Sequence, residues 1–388
     1  MDSSPTPTSG VWKPNGLQAL HYGPGAVQQH IRSLLPSPTS RAFIVTGNSL
    51  STKTPLIKQL ESWLTPSHHA ATCDSVKEHA PIAQIDEATT QVLALENIDT
   101  IISVGGGSPI DTAKAISHRV HEKSGSASFL HHIAIPTTLS AAECTFGAGY
   151  TRADGTKTGI AHSSLAPSVI IYDPHFTAYT PPSLFASTGL RALDHAIELQ
   201  YHPTATLPCQ WACLSAVREL FDNLPKYLAH PRNDDVMIRL CLAAFASLGF
   251  LGLNAGSGLG LSHTLGYALG SPYGIPHGIT SCMTLGRVVK LKARADAKDA
   301  AAIAKVLDHV PGAKRSGNDL VDAEEVGDRI LALVDQLGFT TTLAEKGVDR
   351  SEIENILAKC ALSLPDQGRT EAGQKTLGAI RELVKELF

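Results

Sequence analysis

From residue 17 onward, short runs of β-branched and other apolar residues alternate with stretches whose apolar positions recur at three and four spacing, and the alternation continues to residue 181. The clearest short runs are 41–47 (RAFIVTG), 100–105 (TIISVG), 132–136 (HIAIP) and 168–173 (SVIIYD), each bounded by Gly, Pro or Ser. They read as strands of a parallel sheet whose intervening helices cover both faces. After Pro181-Pro182 the texture changes, and the rest of the chain shows helical spacing with no convincing strand. A Pro-Pro pair cannot continue a strand or sit inside a helix but can precede one, so Ser183 is the expected N-cap of a helix running to His202. The opening residues 1–16, rich in Ser, Pro and Thr, read as a loose tail. The predicted organisation is that tail, an α/β domain over 17–181 and an all-helical domain over 182–388.

A chain of 388 residues with 43% hydrophobic and 18% charged residues has the material for two buried cores. Its formal net charge of −4 leaves no basic footprint for nucleic acid, and a small-molecule partner fits better. The N-terminus lacks the apolar core of a signal peptide, and no stretch approaches the roughly 18 apolar residues of a membrane span, so the expected location is cytoplasmic. The seven cysteines form no CxxC pair and read as reduced core thiols.

The sharpest local signal is the segment 103–114, SVGGGSPIDTAK, in which three glycines leave a strand and enter a helix. Backbone without Cβ atoms can approach a phosphate closely, Ser108 adds a hydroxyl, and the helix N-terminus supplies unpaired N–H groups and partial positive charge. The run is not a GxGxxG fingerprint, and alone it could be a tight turn with no ligand. Two further loops, beginning at Gly47-Asn48 and at Thr137-Thr138, also follow expected strand ends, as ligand binding along the carboxyl edge of a doubly wound sheet requires.

The segments GGGSPIDTAKAI, IPTTLS, GLRALDHAIE and PHGI, in this order, resemble the iron-containing alcohol dehydrogenase superfamily, and the resemblance covers residues 17 to 388. It implies a Rossmann-like dinucleotide-binding domain followed by a helical domain, the dehydroquinate synthase-like architecture, with a nicotinamide held between the two and a homodimeric assembly. On the family's pattern Gly106, Gly107 and Ser108 would hold the pyrophosphate, with Asp111 in the same motif. Thr137 and Thr138 would line the adenosine side, and Lys157 in DGTKTGI would reach the ribose near the nicotinamide. Many relatives place an Asp where Gly47 stands, so its absence leaves NADPH permitted beside NADH.

In metal-dependent members an Asp and a His four residues apart, with two later His residues, hold iron or zinc. This chain matches three of those positions, His195, His263 and His277, but carries Arg191 at the fourth. Residues four apart share a helix face, so the guanidinium would stand where the cation belongs and oppose it. Asp194 is a poor substitute ligand, because its side chain leaves the helix about 100° from that of His195. The pattern is similar to the maleylacetate reductases, which also lack the Asp and work without metal, although they usually carry Asn there. Tyr267 stands where many relatives carry another His that contacts substrate.

The expected chemistry is a metal-independent, NAD(P)H-dependent reduction of a small anionic oxo or enoyl compound. Arg191 would bind a carboxylate or enolate, and His195, His263, His277 or Tyr267 would serve as general acid. Taken singly, Arg191 could instead make a helix-surface salt bridge to Asp194 or Glu198, and each His could be a satisfied buried imidazole. Two alternatives stay open: an iron- or zinc-dependent alcohol dehydrogenase using His195, His263 and His277, and a biosynthetic protein using the same residues for isomerisation, cyclisation or dehydration.

Overall fold

The apolar runs named above all become strands. In the computed structural model, residues 9, 11–64, 66–77, 81–126, 128–151, 157–249, 254, 258–364 and 366–388 are described. Six parallel strands form one sheet: β1 (Ala19–Tyr22), β2 (Arg41–Gly47), β3 (His69–Val76), β4 (Ile98–Gly105), β5 (His131–Pro136) and β8 (Val169–Tyr172). An antiparallel hairpin, β6 (Gly147–Thr151) and β7 (Lys157–Ala161), lies between β5 and β8 in sequence. The order across the sheet is β1-β8-β5-β4-β2-β3. Strands β1, β3, β6 and β7 are not among those runs, and of these β3 is an edge strand whose sequence HAATCDSV has only Cys73 and Val76 buried.

Side chains alternate between two cores along each central strand, as the two-residue period of a strand requires. Ala42 and Ile44 of β2, Ile102 and Val104 of β4, and Ile133 and Ile135 of β5 pack with α1 (Ala26–His30) and α3 (Leu56–Leu64). Phe43, Val45 and Ile101 face the other way, onto α4 (Ile82–Ala94) and α5 (Gly107–Ser124). The chain leaves β2 through α2 (Asn48–Lys53) and α3 toward β3, but leaves β4 through α5 toward β5 on the opposite face. Connections therefore diverge between β2 and β4, and that divergence opens a crevice at their carboxyl ends.

Helix α5 is anchored by two charged side chains. Lys114 is fully buried and donates to Ala142 O at 2.7 Å, Thr145 Oγ1 at 3.0 Å and Gly147 O at 2.8 Å. One turn earlier, Asp111 accepts from the Gly149 N–H at 3.0 Å. The helix that begins at the glycine loop is thereby tied to the segment that follows the β5 loop.

Beyond β8 the described residues contain helices and no strand: α6 (Pro174–Thr177), α7 (Pro182–Glu198), α8 (Leu207–Ala229), α9 (Asp234–Leu248), α10 (Leu261–Tyr273), α11 (His277–Ala295), α12 (Ala297–Ala304), α13 (Asp319–Gln336), α14 (Ile353–Ala361) and α15 (Glu371–Lys385). Helix α7 begins at Pro182 and ends at Glu198, so Ser183 lies inside its first turn and is not the N-cap. Proline fits that first turn because its missing N–H has no partner there. Leu265 and Leu269 of α10, Met283 and Val288 of α11, Ile356 and Leu357 of α14, and Ile380 and Val384 of α15 share one core. The sheet, its helices and α9 form one compact unit, and α7 from Ala186, α8 and α10 to α15 form another. Helix α9, which reads in sequence as part of the helical half, packs against α6, where the Cys241 thiol meets Thr177. All seven cysteines are free and buried. No helix among the described residues is long and apolar enough to cross a membrane.

His132 on β5 bonds through Nε2 to Ser103 Oγ of β4 at 2.8 Å. Burial, reinforced by the nearby Lys114 and His131 charges, pushes its imidazole down to about 3. The unfolded chain binds this proton from about pH 6.5 downward and the folded chain does not, so this contribution is full above that value and is lost as pH falls toward 3. Urea unfolding of the natural protein should therefore show a loss between about pH 7 and pH 4.5 that exceeds the loss in His132→Gln by roughly 2–3 kcal/mol. Equal losses would show that His132 is not the group responsible.

Candidate functional site

Three adjacent strands present their carboxyl ends together. β4 ends at Gly105, Gly106 is the N-cap of α5, and no side chain caps that helix. The first-turn N–H groups of an 18-residue helix are thus left for a ligand. A Cβ on Gly106 would stand 3.1 Å from Thr138 Cγ2 and 3.2 Å from its Oγ1, so a glycine is what lets the two loops meet. The Thr137 N–H donates to Gly105 O at 2.9 Å, and Thr138 Oγ1 bonds Ser140 Oγ at 3.2 Å. On the other side of the crevice Gly47 is the uncapped N-cap of α2, and Asn48 is its first residue. Gly47, Asn48, Gly106, Gly107, Ser108, Thr137 and Thr138 therefore gather along one edge. Asp111 is turned toward Gly149 and Lys114. Lys157 opens β7, and its side chain lies outside the described residues.

The second cluster is built on α7. Arg191, Asp194 and Glu198 follow one another at three and four spacing and so lie along one stripe of the helix. That stripe meets the first turn of α10 and the second turn of α11. Asp194 Oδ2 accepts from Ser262 Oγ at 2.8 Å and from Ser281 Oγ at 2.6 Å, with the Arg191 Nη1 at 3.6 Å. Glu198 Oε1 accepts from the Ser262 N–H at 2.7 Å, and Oε2 pairs with His263 Nδ1, also at 2.7 Å. Arg191 Nη1 donates to Ser281 Oγ at 3.3 Å, and its guanidinium carbon sits 5.9 Å from the centre of the Tyr267 ring. Close backbone approach makes this possible: a Cβ on Gly266 would lie 3.1 Å from Arg191 Nη1, and one on Gly278 would lie 2.6 Å from Ser187.

The imidazoles occupy different surroundings. The His195 and His263 rings are 4.8 Å apart, and Tyr267, half exposed, meets His277 edge-on at 5.9 Å. Among the described residues, His195 Nδ1 and His263 Nε2 are buried with no hydrogen-bond partner. Burial, His263 and Arg191 together hold the His195 imidazole well below its ordinary value, so it is neutral. Burial and Arg191 also disfavour a charge on His263, but Asp194 and Glu198 more than offset them, and its value is raised. Burial opposes a charge on Asp194 as well, yet His263 and Arg191 hold it below the usual carboxylate range.

The sequence reading placed Arg191 correctly on the helix but expected any ion pair with Asp194 to lie on its surface. Both side chains are buried, at 8% and 0% exposure, so the pair is internal. In sequence Glu198 stands as a salt-bridge partner, and Asp194 as a salt-bridge partner or a poor substitute ligand, whereas the spacing of 191, 194 and 198 marks a single stripe. The family's ion would need His195, His263, His277 and an anion at position 191. Among the described residues only Asp194, Glu198 and His263 bring three donor atoms within 4.8 Å of one another. Within that group Nδ1 of His263 and both oxygens of Glu198 are already engaged in hydrogen bonds. Among the described residues, His195, His263 and His277 do not bring three donor atoms within that distance of one another.

Residues 18–174 match the family model described as iron-containing alcohol dehydrogenase, and residues 185–386 match that of the C-terminal part of the Fe-containing alcohol dehydrogenase family. The chain is 31% identical to maleylacetate reductase 2 of Cupriavidus pinatubonensis over 196 residues, a match spanning 50% of each chain. It is 32% identical over 300 residues to the NAD-dependent methanol dehydrogenase of Bacillus methanolicus, covering 72% of this chain and 77% of that one. The crystal structure of maleylacetate reductase from Rhizobium sp. strain MTP-10005 superposes with a TM-score of 0.79 over 98% of both chains at 23% identity, so the two share a fold.

Ser281→Ala removes the 2.6 Å bond to Asp194 and the Arg191 contact together. The expected loss is about 1–3 kcal/mol, because a buried carboxylate loses an acceptor bond that nothing else replaces. Denaturant unfolding checks it, and an unchanged midpoint would show that water substitutes for the hydroxyl.

Proposed function

We propose that this chain, which belongs to the iron-containing alcohol dehydrogenase family, transfers hydride from NADH or NADPH to a small oxo or enoyl carboxylate such as maleylacetate, and does so without a metal ion. The protein is an NAD(P)-dependent oxidoreductase. The observation that carries the finer reading is Arg191, a buried cation on α7 in the same cluster as His195 and His263, each of which has a buried ring nitrogen with no hydrogen-bond partner among the described residues. A dication placed about 4 Å from a guanidinium would meet roughly 8 kcal/mol of repulsion at an effective dielectric of 20. A substrate anion at that distance gains about 4 kcal/mol instead. The planar fork offers five donors, more than Ser281 and Asp194 together use, and it stays charged at any working pH.

In this reading Gly106, Gly107 and Ser108 hold the diphosphate at the start of α5, with Thr137, Thr138, Gly47 and Asn48 on the adenosine side. Asp111 serves indirectly by fixing α5, and Lys157 is assigned to the ribose by its motif. Hydride leaves the nicotinamide, negative charge develops on the substrate oxygen, and Arg191 stabilises it. A proton then completes the reduction. His263 is the better donor, because the carboxylates beside it favour its charged form while His195 is held neutral. For maleylacetate, hydride and proton would saturate the alkene beside the ketone, giving 3-oxoadipate and NAD(P)+. Gly47 puts no carboxylate at the end of β2 to repel a 2′-phosphate, so NADPH should serve as well as NADH.

A second reading, a metal-dependent alcohol dehydrogenase, draws support from the grouping of Asp194, Glu198 and His263. The two separate cleanly when NADH and NADPH oxidation by maleylacetate is followed with a strong chelator present. Chelator-resistant turnover is expected, and activity abolished by the chelator and restored by iron or zinc would favour the second reading. Arg191→Ala should raise the substrate KM, lower kcat and reduce kcat/KM by about 10–100-fold, the worth of one charge-assisted contact. An unchanged pair of constants would count against the role given to Arg191.

A further inference from the structure

Glu198 has a place in this cluster that the catalytic roles above do not use. Its carboxylate is fully buried and faces two N–H donors, with Ser262 N–H on Oε1 and His263 Nδ1 on Oε2, both at 2.7 Å. The Tyr201 hydroxyl approaches Oε1 at 3.4 Å as a further donor. The first of these donors belongs to the opening turn of α10, whose own N-cap is Gly260 and carries no capping side chain. A Cβ at Gly260 would stand 2.7 Å from Oε1, so the carboxylate of α7 occupies the place where a capping side chain would lie. One group thus closes the N-terminus of α10 and grips the histidine in its first turn.

We propose that Glu198 is a positioning residue for His263: it fixes Nδ1 as the nitrogen that always carries a proton, leaving Nε2 to exchange one with substrate. The imidazole has two nitrogens, and which one is protonated is set by the partner of the other. A carboxylate accepts only, so the Nδ1 beside it must hold hydrogen; Asp194 Oδ1 lies 3.4 Å from the same nitrogen but makes no hydrogen bond to it, so Glu198 is the acceptor that holds this proton. Nε2 is then the nitrogen with capacity to spare, and among the described residues it is buried with no hydrogen-bond partner, beside the ring of His195. A carboxylate is required and an amide would not serve. Glutamine could accept from Ser262 N–H or from His263 Nδ1, but its NH2 would then face the other donor. The easiest relief is for His263 to move its proton to Nε2 and accept at Nδ1, which reverses the nitrogen presented to substrate. The placement rests on the reductase reading only for what that substrate is.

The test is the nitrogen chemical shifts of His263 in the full chain labelled with 15N-histidine, assigned by their absence in His263→Asn. They are compared in the natural protein, Glu198→Gln and Glu198→Asp, beside steady-state oxidation of NAD(P)H. Nδ1 should be protonated in the natural protein and in Glu198→Asp but unprotonated in Glu198→Gln. With Glu198→Gln, kcat should fall by about 100-fold, the worth of a misplaced general acid, while the KM for NAD(P)H is unmoved. Glu198→Asp should recover part of kcat. An unprotonated Nδ1 in the natural protein, a reading that needs no variant to fold, overturns the proposal. A Glu198→Gln protein that keeps the natural protonation pattern overturns it equally. If maleylacetate and its analogues are not substrates, the shifts still decide the role of Glu198, so the two ideas fail separately.

Discussion

The helical unit is organised around two carboxylates that never reach water. Asp194 and Glu198, one turn apart on α7, together accept the Ser262 hydroxyl and N–H, the Ser281 hydroxyl and the His263 ring. Burying two negative charges is strongly unfavourable unless cations and hydrogen bonds surround them. The cluster sets Arg191 beside Asp194 and the raised His263 beside Glu198, although Asp194 Oδ1 has no hydrogen-bond partner among the described residues. Because the donors come from the first turn of α10 and the body of α11, satisfying the carboxylates fixes how three helices stand in this unit. Neither partner can be removed alone without leaving an uncompensated charge.

That constraint gives physical meaning to the departure at position 191. Where metal-binding relatives are expected to hold an anion that faces an ion, this chain holds a cation that faces its own anion, three residues on. Within the buried cluster the Asp194 carboxylate thus faces the Arg191 guanidinium, and the Glu198 carboxylate faces the His263 ring. An arginine introduced alone would have been costly, and Asp194 is the residue that makes it tolerable. Arg191 and Asp194 are best regarded as one device, in which a guanidinium is held in place by a buried carboxylate and a serine of the facing helix.

The sheet was legible because its central strands are continuous apolar runs, buried on both faces, that no helix period explains. The edge strand β3 was not, since HAATCDSV buries only two side chains and takes its place by pairing with β2. The phosphate loop could be placed from its glycines, but not the close approach of Thr138, in the loop after β5, to the place a Cβ on Gly106 would take. In the helical half, the family resemblance picked out Arg191, His195, His263, Tyr267 and His277, and the structure adds which of them touch. The partners Ser262 and Ser281 lie 68 and 87 residues from Asp194, and an ordinary serine at that distance carries no local signal. Position in sequence identified the cation, whereas only the fold could show that it is buried and paired.

The measurement that bears most directly on this account is the metal content of the purified natural protein and of Arg191→Asp, by elemental analysis after growth with iron and zinc and before any chelator. The account expects the natural protein to carry neither metal in stoichiometric amount and the variant, with an anion restored at that position, to gain one. Near-stoichiometric iron or zinc in the natural protein would contradict it, because the guanidinium would then share the site with the ion it is held to replace.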